Sequence, residues 1–362
     1  MALTINTNIS SIIAQRSLNK ATNGLNDALE KMSTGYKINH AKDNAAGYSI
    51  ANQWVTKLGS LDVAADNAAT GSDMLTTAEE SYNLLTSHLQ RVRDLTEQAA
   101  NGTYGSQSLR AIQSEIAARL QEVNRLAANA EFNGIKLMKF DTTTDADNSD
   151  VGITEAGVNL QVGLYADKDS IINLDIELFK DASLKGLFTS LNTKKNPNTS
   201  ATEEVTLAKL MEAASNKTIT IADFADSAKV EDAIQAFACA CSGLTYTAAT
   251  KDLTGKVTKA AEFGLETNGN ATPKEMLYYL DEAINDISDR VTKIGAVQNR
   301  VQSAISALDV QSQNLTSSLS TLRDTDVAET SSNYIQQQIL QQASATLLST
   351  ANQLPSMALN LI

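Results

Sequence analysis

The stretch that decides the fold lies near the C-terminus and reads, from residue 277 to residue 322, LYYLDEAINDISDRVTKIGAVQNRVQSAISALDVQSQNLTSSLSTL. Steps of three and four residues along it follow an apolar row in which only Gln298 and Ser312 are polar. A 3.5-residue repeat kept over this length is typical of a coiled-coil seam. The predicted seam consists of Leu277, Leu280, Ile284, Ile287, Val291, Ile294, Val301, Ile305 and Leu308, and it continues through Leu315, Leu319 and Leu322. A helix with such a seam needs a partner of comparable length.

Two helical patterns nearer the N-terminus are the natural partners for this seam. The longer one runs from about residue 45 to residue 100, where Asn101-Gly102 ends it. Small residues in its middle, among them Ala68 and Gly71, permit a neighbouring helix to approach closely. A shorter stripe follows between residues 109 and 127. We expect the C-terminal seam to pack against both of these helices.

Each end of the chain carries a shorter apolar stripe, which a polar break separates from the nearest long helix. The breaks are residues 36–44 and 323–326. Because the order of elements is nearly the same from either end, pairing the N-terminal half with the C-terminal half is the simplest way to bury the stripes. The terminal stripes consist of Ile5, Ile9 and Ile12 at the start and of Leu340, Leu347, Leu354 and Leu361 at the end.

The central region has a different character. Residues 158–164 and 171–176 alternate with a period of two and predict a β-hairpin. The region from residue 183 to residue 271 gives mixed signals, with predicted helices at 203–214 and 231–240, a strand at 218–221 and a loop at 194–200. The predicted fold is therefore mainly α. It is a long antiparallel helical bundle, or coiled-coil rod, formed by the N- and C-terminal halves, with a β-hairpin and a small α+β central insertion domain.

The composition argues against several classes of protein. A net charge of −13 disfavours a nucleic-acid-binding protein, which needs a basic face for phosphates. The only histidines, His40 and His88, lack a nucleophile-and-carboxylate context, and Cys239 and Cys241 have no second Cys or His pair to complete a metal site. We predict no enzyme activity and no cofactor.

Targeting signals are not evident in the sequence. The first ten residues lack the basic and continuous apolar segments of a cleavable signal peptide. No run of about 18 apolar residues is present to span a bilayer. These rules alone predict a cytosolic protein, an expectation that a family resemblance revises.

Several short motifs, in order along the chain, closely resemble those of bacterial flagellin. They are ALTINTN at residues 2–8, LEKMSTGYKIN at 29–39, DNAAG at 43–47, QRVRDL at 90–95, QAANGT at 98–103, EFNG at 131–134 and RDTDVA at 323–328. The resemblance covers about residues 1–182 and 272–362. The central insertion resembles no family that we can name.

The resemblance implies an architecture of nested layers. Residues 1–43 and 325–362 would form an inner terminal coiled-coil domain at the filament core. Residues 44–182 and 272–324 would form a helical rod domain with the β-hairpin. Residues 183–271 would form a variable outer surface domain.

The function that the resemblance implies is structural. Copies of the chain would polymerise helically into the bacterial flagellar filament for swimming, and the terminal stripes would become ordered against neighbouring copies. The implied partners are the chain itself, a flagellar export chaperone, and the filament cap and hook-junction proteins, with no nucleic acid and no membrane. The implied location is extracellular, after type III export without a cleaved signal peptide.

The resemblance also implies a contact surface for the innate immune receptor Toll-like receptor 5. Its candidate residues are Arg91, Leu95 and Glu115, which match the family's motif positions. The alternative is that Arg91 and Glu115 form an ion pair between helices or between subunits, as many surface charges do.

Two other functions compete with a filament subunit. A hook-filament junction protein of the same family shares the terminal helices, although the motifs around Arg91 favour flagellin proper. An enzyme carried in the insertion, such as a metallopeptidase, would need a His-Glu-x-x-His site, and residues 183–271 contain no histidine.

Overall fold

A computed structural model describes residues 8–138, 157–165, 167–191, 229–242, 244–247, 252–256 and 271–359. The helices in these ranges are α1 (Ile9–Thr34), α2 (Ala45–Ala100), α3 (Ser106–Asn129), α4 (Leu184–Leu191), α5 (Val230–Ser242), α6 (Ala271–Arg323) and α7 (Val327–Leu359). The strands are β1 (Glu131–Phe132), β2 (Ile135–Lys136), β3 (Val158–Gln161), β4 (Ile171–Leu174), β5 (Leu244–Thr247) and β6 (Asp252–Lys256). The prediction of a mainly helical fold with a hairpin and a small strand-containing central region is confirmed.

The chain divides into two compact units. The terminal unit comprises the residues up to Val63 and those from Ala307 onward, and the central unit comprises Ala64–Ser306. Helices α2 and α6 contribute residues to both units. The domain boundaries expected from the flagellin resemblance differ from this division and stay predictions.

In the terminal unit α1 and α7 pair along their length. Thr22 accepts a hydrogen bond from the Gln341 side chain at 3.1 Å, and the Ser11 hydroxyl donates to Asn352 at 2.7 Å. Residue numbers rise along α1 while those of its partners fall along α7, so the two helices are antiparallel. A Cβ atom added to Gly24 would lie 2.9 Å from the Gln337 side chain, which shows how closely the helices approach.

The two polar breaks are hydrogen-bonded to each other. Gly35 ends α1 in the left-handed conformation, with φ 75°, which glycine adopts without strain. The backbone N–H of Lys37 donates to the Arg323 carbonyl at 2.7 Å, and that of Thr325 donates to the Gly35 carbonyl at 2.9 Å. The Arg323 guanidinium lies 4.1 Å from the centre of the Tyr36 ring, a cation–π contact. We call this junction, residues 35–37 and 323–325, the clasp.

In the central unit α2 packs against α3 and α6. The Gln298 amide donates to Glu79 at 2.9 Å, and Arg93 forms an ion pair with Asp281. These pairs run in opposite directions along the sequence, so α2 and α6 are antiparallel. The predicted seam of α6 lies inward: Leu280, Ile287, Ile294 and Val301 are fully buried, and Leu277, Ile284, Val291 and Ile305 are half-buried.

Two short hairpins follow the helices of the N-terminal half. Asn133 and Gly134 have φ values of 49° and 82°, the double positive φ of a type I′ turn, and they join β1 to β2. Strands β3 and β4 pair antiparallel, as the alternating pattern predicts. Leu160 of β3 lies over Gly71 of α2, where an added Cβ would approach a leucine methyl to 2.3 Å. Glycine at position 71 therefore permits the hairpin to contact the helix.

The described helices of the insertion belong to the same hydrophobic core as α2 and α3. Helix α5, which contains the helix predicted at 231–240, packs against α3, and its Gln235 accepts a hydrogen bond from the buried Gln113. Phe188 of α4 stacks on Phe237 of α5 with ring centres 4.5 Å apart. The predicted elements at 203–214 and 218–221 and the predicted loop at 194–200 lie outside the described residues.

Arg290 of α6 is a buried cation that ties the segment after β4 to the helices. Its guanidinium donates to the Lys180 carbonyl and to the Asp286 carboxylate, both at 2.8 Å. The nearby Tyr82 hydroxyl donates to the Leu178 carbonyl at 2.9 Å, and burial raises the pKa of Tyr82. A buried charge with several hydrogen-bond partners holds those partners in place, because moving one of them away leaves polar groups unpaired.

Candidate assembly surface

The seam between α1 and α7 is built from small and polar side chains. Ala14, Ala21 and Ala28, seven residues apart, are the buried residues of α1. The buried or half-buried residues of α7 whose side chains the structure describes are Thr330, Ser331, Tyr334, Gln337, Gln341, Ser344, Leu348 and Ala351. The sequence from Thr330 to Ile362 contains no Asp, Glu, Lys or Arg. The fully buried positions described in the two helices are therefore small or polar, and Leu18, Leu25 and Leu348 are half-buried.

Large apolar side chains of the same helices point away from the seam. At 100° per residue, Ile9 and Ile12 lie on the side of α1 away from Ala14 and Ala21, and Ile13, which is 61% exposed, flanks that side. On α7, Ile335 and Ile339 lie away from Ser344, whereas Leu340 and Leu347 flank the seam, and Ile339 and Leu347 are each 61% exposed. We call these residues of α1 and α7 the outward apolar face. Both helices therefore leave large apolar side chains uncovered, as proteins do where they bind a partner.

The predicted terminal stripes lie on this face rather than in the seam. Ile9, Ile12, Leu340 and Leu347 are exposed, so the expectation that pairing the two halves buries them is wrong. Ile5 and Leu361 lie outside the described residues, and the Leu354 side chain is not described. Sequence reasoning missed Ile13, Ile335 and Ile339, although the four-residue spacing of Ile9 with Ile13 and of Ile335 with Ile339 marks them.

The predicted receptor-contact residues are only partly on the surface. The Arg91 side chain on α2 donates to the Glu115 carboxylate on α3 at 2.9 Å, and this hydrogen bond raises the pKa of Arg91. Both side chains are substantially exposed. Leu95, by contrast, is only 2% exposed. Because α2 packs against helices on two sides here, its buried face includes Leu95, and the expectation that Leu95 faces a partner is corrected.

Comparison with known proteins identifies the family. A profile described as the bacterial flagellin N-terminal helical region matches residues 5–143, and one described as the bacterial flagellin C-terminal helical region matches residues 277–362. The chain belongs to the bacterial flagellin family.

Curated relatives of this flagellin-family chain match it from end to end. Polar flagellin F of Vibrio parahaemolyticus and flagellin B of Vibrio cholerae are each 32% identical to it, and flagellin D of Vibrio anguillarum is 33% identical. Each match covers 100% of both chains. Flagellins are structural proteins, and an outward apolar face suits a subunit of a filament.

The cysteines and histidines have structural surroundings in this flagellin-family protein. Burial raises the pKa of both Cys239 and Cys241 to about 12, so their thiols stay protonated and unreactive near neutral pH. His40 lies 2.8 Å from the Glu30 carboxylate, and His88 lies 3.4 Å from Arg119. Among the described residues no cluster of three or more potential metal ligands occurs.

None of the helices in the described ranges is long and apolar enough to cross a membrane.

Proposed function

We propose that this chain polymerises helically into the bacterial flagellar filament that serves swimming, and that copies meet through the outward apolar face of α1 and α7. The exposure of Ile13, Ile339 and Leu347, at 61% each, is the observation that carries the proposal. Fully burying such a side chain is worth about 1.5–3 kcal/mol. Several of them per subunit supply a driving force that the small and polar seam does not.

A filament also requires the contact to be repeated without closing on itself. Contacts between different surfaces of successive copies generate a helical filament when the rotation between copies does not close a ring. After Glu329, α7 carries no charged residue, and this supports such stacking because copies of a chain with a net charge of −13 otherwise repel one another.

The test replaces one residue of the outward apolar face. Ile339→Glu introduces a charge where a second copy would bury an isoleucine, and Ile339→Leu, the matched control, keeps the apolar surface. We expect sedimentation and electron microscopy to show filaments for the control and none for Ile339→Glu. Normal filaments from Ile339→Glu would refute the role of this face.

The proposed location and helper proteins follow from family membership. The subunit is exported without a cleaved signal peptide and functions outside the cell. Its proposed partners besides itself are an export chaperone, the filament cap and the hook-junction proteins. Hook-filament junction protein is the alternative function, and electron microscopy separates the two, because only a filament subunit forms long polymers by itself.

A secondary role as a ligand of Toll-like receptor 5 is proposed for the surface around Arg91. The exposed Arg91–Glu115 pair, 2.9 Å apart and spanning two helices, supports a binding role for these two residues. A reporter-cell assay on monomeric protein tests it with Arg91→Ala. Arg125→Ala is the matched control, because Arg125 is an exposed arginine paired with Glu122 elsewhere on α3. Unchanged signalling by Arg91→Ala would remove Arg91 from the receptor surface.

A further inference from the structure

Asparagine followed directly by glycine occurs at residues 23, 101, 133 and 268. This dipeptide is chemically labile, because glycine has no side chain to hinder its backbone nitrogen from attacking the side chain of the preceding asparagine. Asn268 lies outside the described residues. The other three pairs have the same two residues in three different backbone structures, so the fold decides how each of them reacts.

The pair of Asn101 and Gly102 lies in the open turn between α2 and α3. Helix α2 ends at Ala100, and both residues of the pair are exposed, as is Thr103. The backbone N–H of Thr103 donates a hydrogen bond to the Oδ1 atom of Asn101 at 3.3 Å. Among the described residues none accepts a hydrogen bond from the N–H of Gly102. The attacking nitrogen is therefore free, and the oxygen on which charge develops already has a donor.

The other two described pairs are held in regular structure. Asn23 is exposed like Asn101, but it lies with Gly24 inside α1. A helical backbone does not permit the asparagine side chain to close a ring with the next nitrogen unless the helix opens locally. Asn133 and Gly134 form a tight turn between the paired strands β1 and β2. Backbone geometry, and not exposure, therefore distinguishes Asn101.

We propose that Asn101 is a site of spontaneous deamidation that the fold itself promotes. The backbone nitrogen of Gly102 attacks the Cγ atom of Asn101 and forms a new C–N bond, which closes a five-membered succinimide. The Cγ–Nδ2 bond breaks, and the side-chain amide leaves as ammonia with the proton lost by the Gly102 nitrogen. Water then adds to either ring carbonyl and breaks its bond to nitrogen, which gives aspartate or isoaspartate. The Thr103 N–H stabilises the charge on Oδ1 during the attack, as a donor of an oxyanion hole does.

The reaction changes both the charge of the chain and the connection between α2 and α3. Each event adds one negative charge to a chain whose net charge is −13. In the isoaspartate product the backbone runs through the former side chain and is longer by one carbon atom, so the hydrogen bond from Thr103 to the side chain is lost. Because the reaction is irreversible, the modified fraction at residue 101 increases with the age of the molecule.

The test compares the folded monomer with the same chain unfolded in urea. Both samples are kept at mildly alkaline pH, and mass spectrometry of their peptides gives the rate at each Asn–Gly pair. In the folded chain we expect Asn101 to react at least as fast as it does in urea. We expect Asn23 to react at least about tenfold more slowly in the folded chain than in urea, which corresponds to about 1.4 kcal/mol of added barrier.

Gly102→Ala tests whether the Gly102 nitrogen is the attacking group. Gly102 is not among the described glycines with positive φ, so alanine fits its backbone, and the added methyl group hinders the attack. We expect the rate at Asn101 to fall about tenfold, equivalent to about 1.4 kcal/mol of barrier. Gly105→Ala is the matched control in the same turn, because a Cβ atom added to Gly105 meets nothing within 4 Å, and it should leave the rate unchanged.

Three results would overturn the proposal. The first is a rate at Asn101 that is lower in the folded chain than in urea, and the second is an equal rate at Asn101 and Asn23 in the folded chain. The third is an unchanged rate at Asn101 in Gly102→Ala. The proposal does not depend on polymerisation, so these measurements on the monomer are independent of the proposed function.

Discussion

The seam of the terminal unit and the seam of the central unit are both heptad-like, yet they bury opposite kinds of side chain. In the central unit large apolar residues such as Leu280, Ile287 and Ile294 are completely buried. In α1 and α7 the fully buried positions are alanine, serine and threonine, three leucines are only half-buried, and the isoleucines are exposed. The comparison shows that the central unit buries its large apolar residues, whereas the helices α1 and α7 leave many of theirs exposed.

Removing residues 340–362 should give the largest effect, because it deletes much of the outward apolar face. We expect complete loss of filaments by electron microscopy. The central unit does not include these residues, so its thermal unfolding by circular dichroism should be retained. Normal filaments from the truncated chain would contradict the difference drawn between the two units.

Arg290→Ala should produce a clear loss of stability in the central unit. It removes the donor to the Lys180 carbonyl and leaves Asp286, whose side chain is 37% exposed, without its partner. Leaving such groups unpaired costs about 1–3 kcal/mol. Denaturant unfolding measures the change, with exposed Arg125→Ala as the control. A loss below about 1 kcal/mol would show that water replaces the guanidinium.

A pair of leucines compares the two units directly. Leu280→Ala empties a buried position of the central unit and should lower the free energy of unfolding by about 2–5 kcal/mol. Leu347→Ala truncates a residue that is 61% exposed and should change it by about 0.5 kcal/mol or less. The effects on polymerisation should be in the opposite order: Leu347→Ala should raise the critical concentration more than Leu280→Ala does. Equal losses of unfolding free energy in both variants would contradict the difference between a buried leucine in the central unit and an exposed one in the terminal unit.

The chain should also lose stability at alkaline pH. The pKa of Cys239 and Cys241 is raised by burial from 9.0 to about 12. Above pH 9 the unfolded thiols ionise while the folded ones stay protonated, so stability falls between about pH 9 and pH 12, by about 1.4 kcal/mol per thiol at pH 10. The raised pKa of Tyr279 adds to the loss above pH 10.

The double variant Cys239→Ala and Cys241→Ala separates the thiols from the tyrosine. It should show a shallower decline in unfolding free energy between pH 9 and pH 10. A decline as steep as that of the parent chain would assign the effect to other groups.

The central unit was largely predictable from the sequence. The 3.5-residue repeat is strongest where large apolar residues lie on both sides of a seam. Helix α2 runs from Ala45 to Ala100, the range that the sequence predicts. The hairpin strands β3 and β4 were predictable from the alternation of apolar and polar residues with a period of two. Leu95 was misplaced because its role was taken from the family resemblance, which does not show that this side chain is buried in the hydrophobic core.

The helices of the terminal unit were predictable from the sequence, but the faces through which they pack were not. Apolar periodicity identified Ile9, Ile12, Leu340 and Leu347 as one face, and the natural inference was that this face pairs within the chain. The true seam consists of Ala14, Ala21, Gln337 and Ser344, which carry almost no hydrophobic signal. When the partner of an apolar stripe lies in another molecule, one sequence does not reveal which face is internal.

The clasp has a consequence for the order in which the chain folds. Lys37 donates its side-chain hydrogen bond to a carbonyl 284 residues further along, and Ser11 pairs across a separation of 341 residues. Closing loops of this length carries an entropic penalty that local contacts do not, and contacts of high sequence separation form slowly. During synthesis α1 therefore has no intrachain partner until nearly the whole polypeptide has been made. Helix α1 therefore packs against α7 late, well after the contacts of α2 with α3 have become possible.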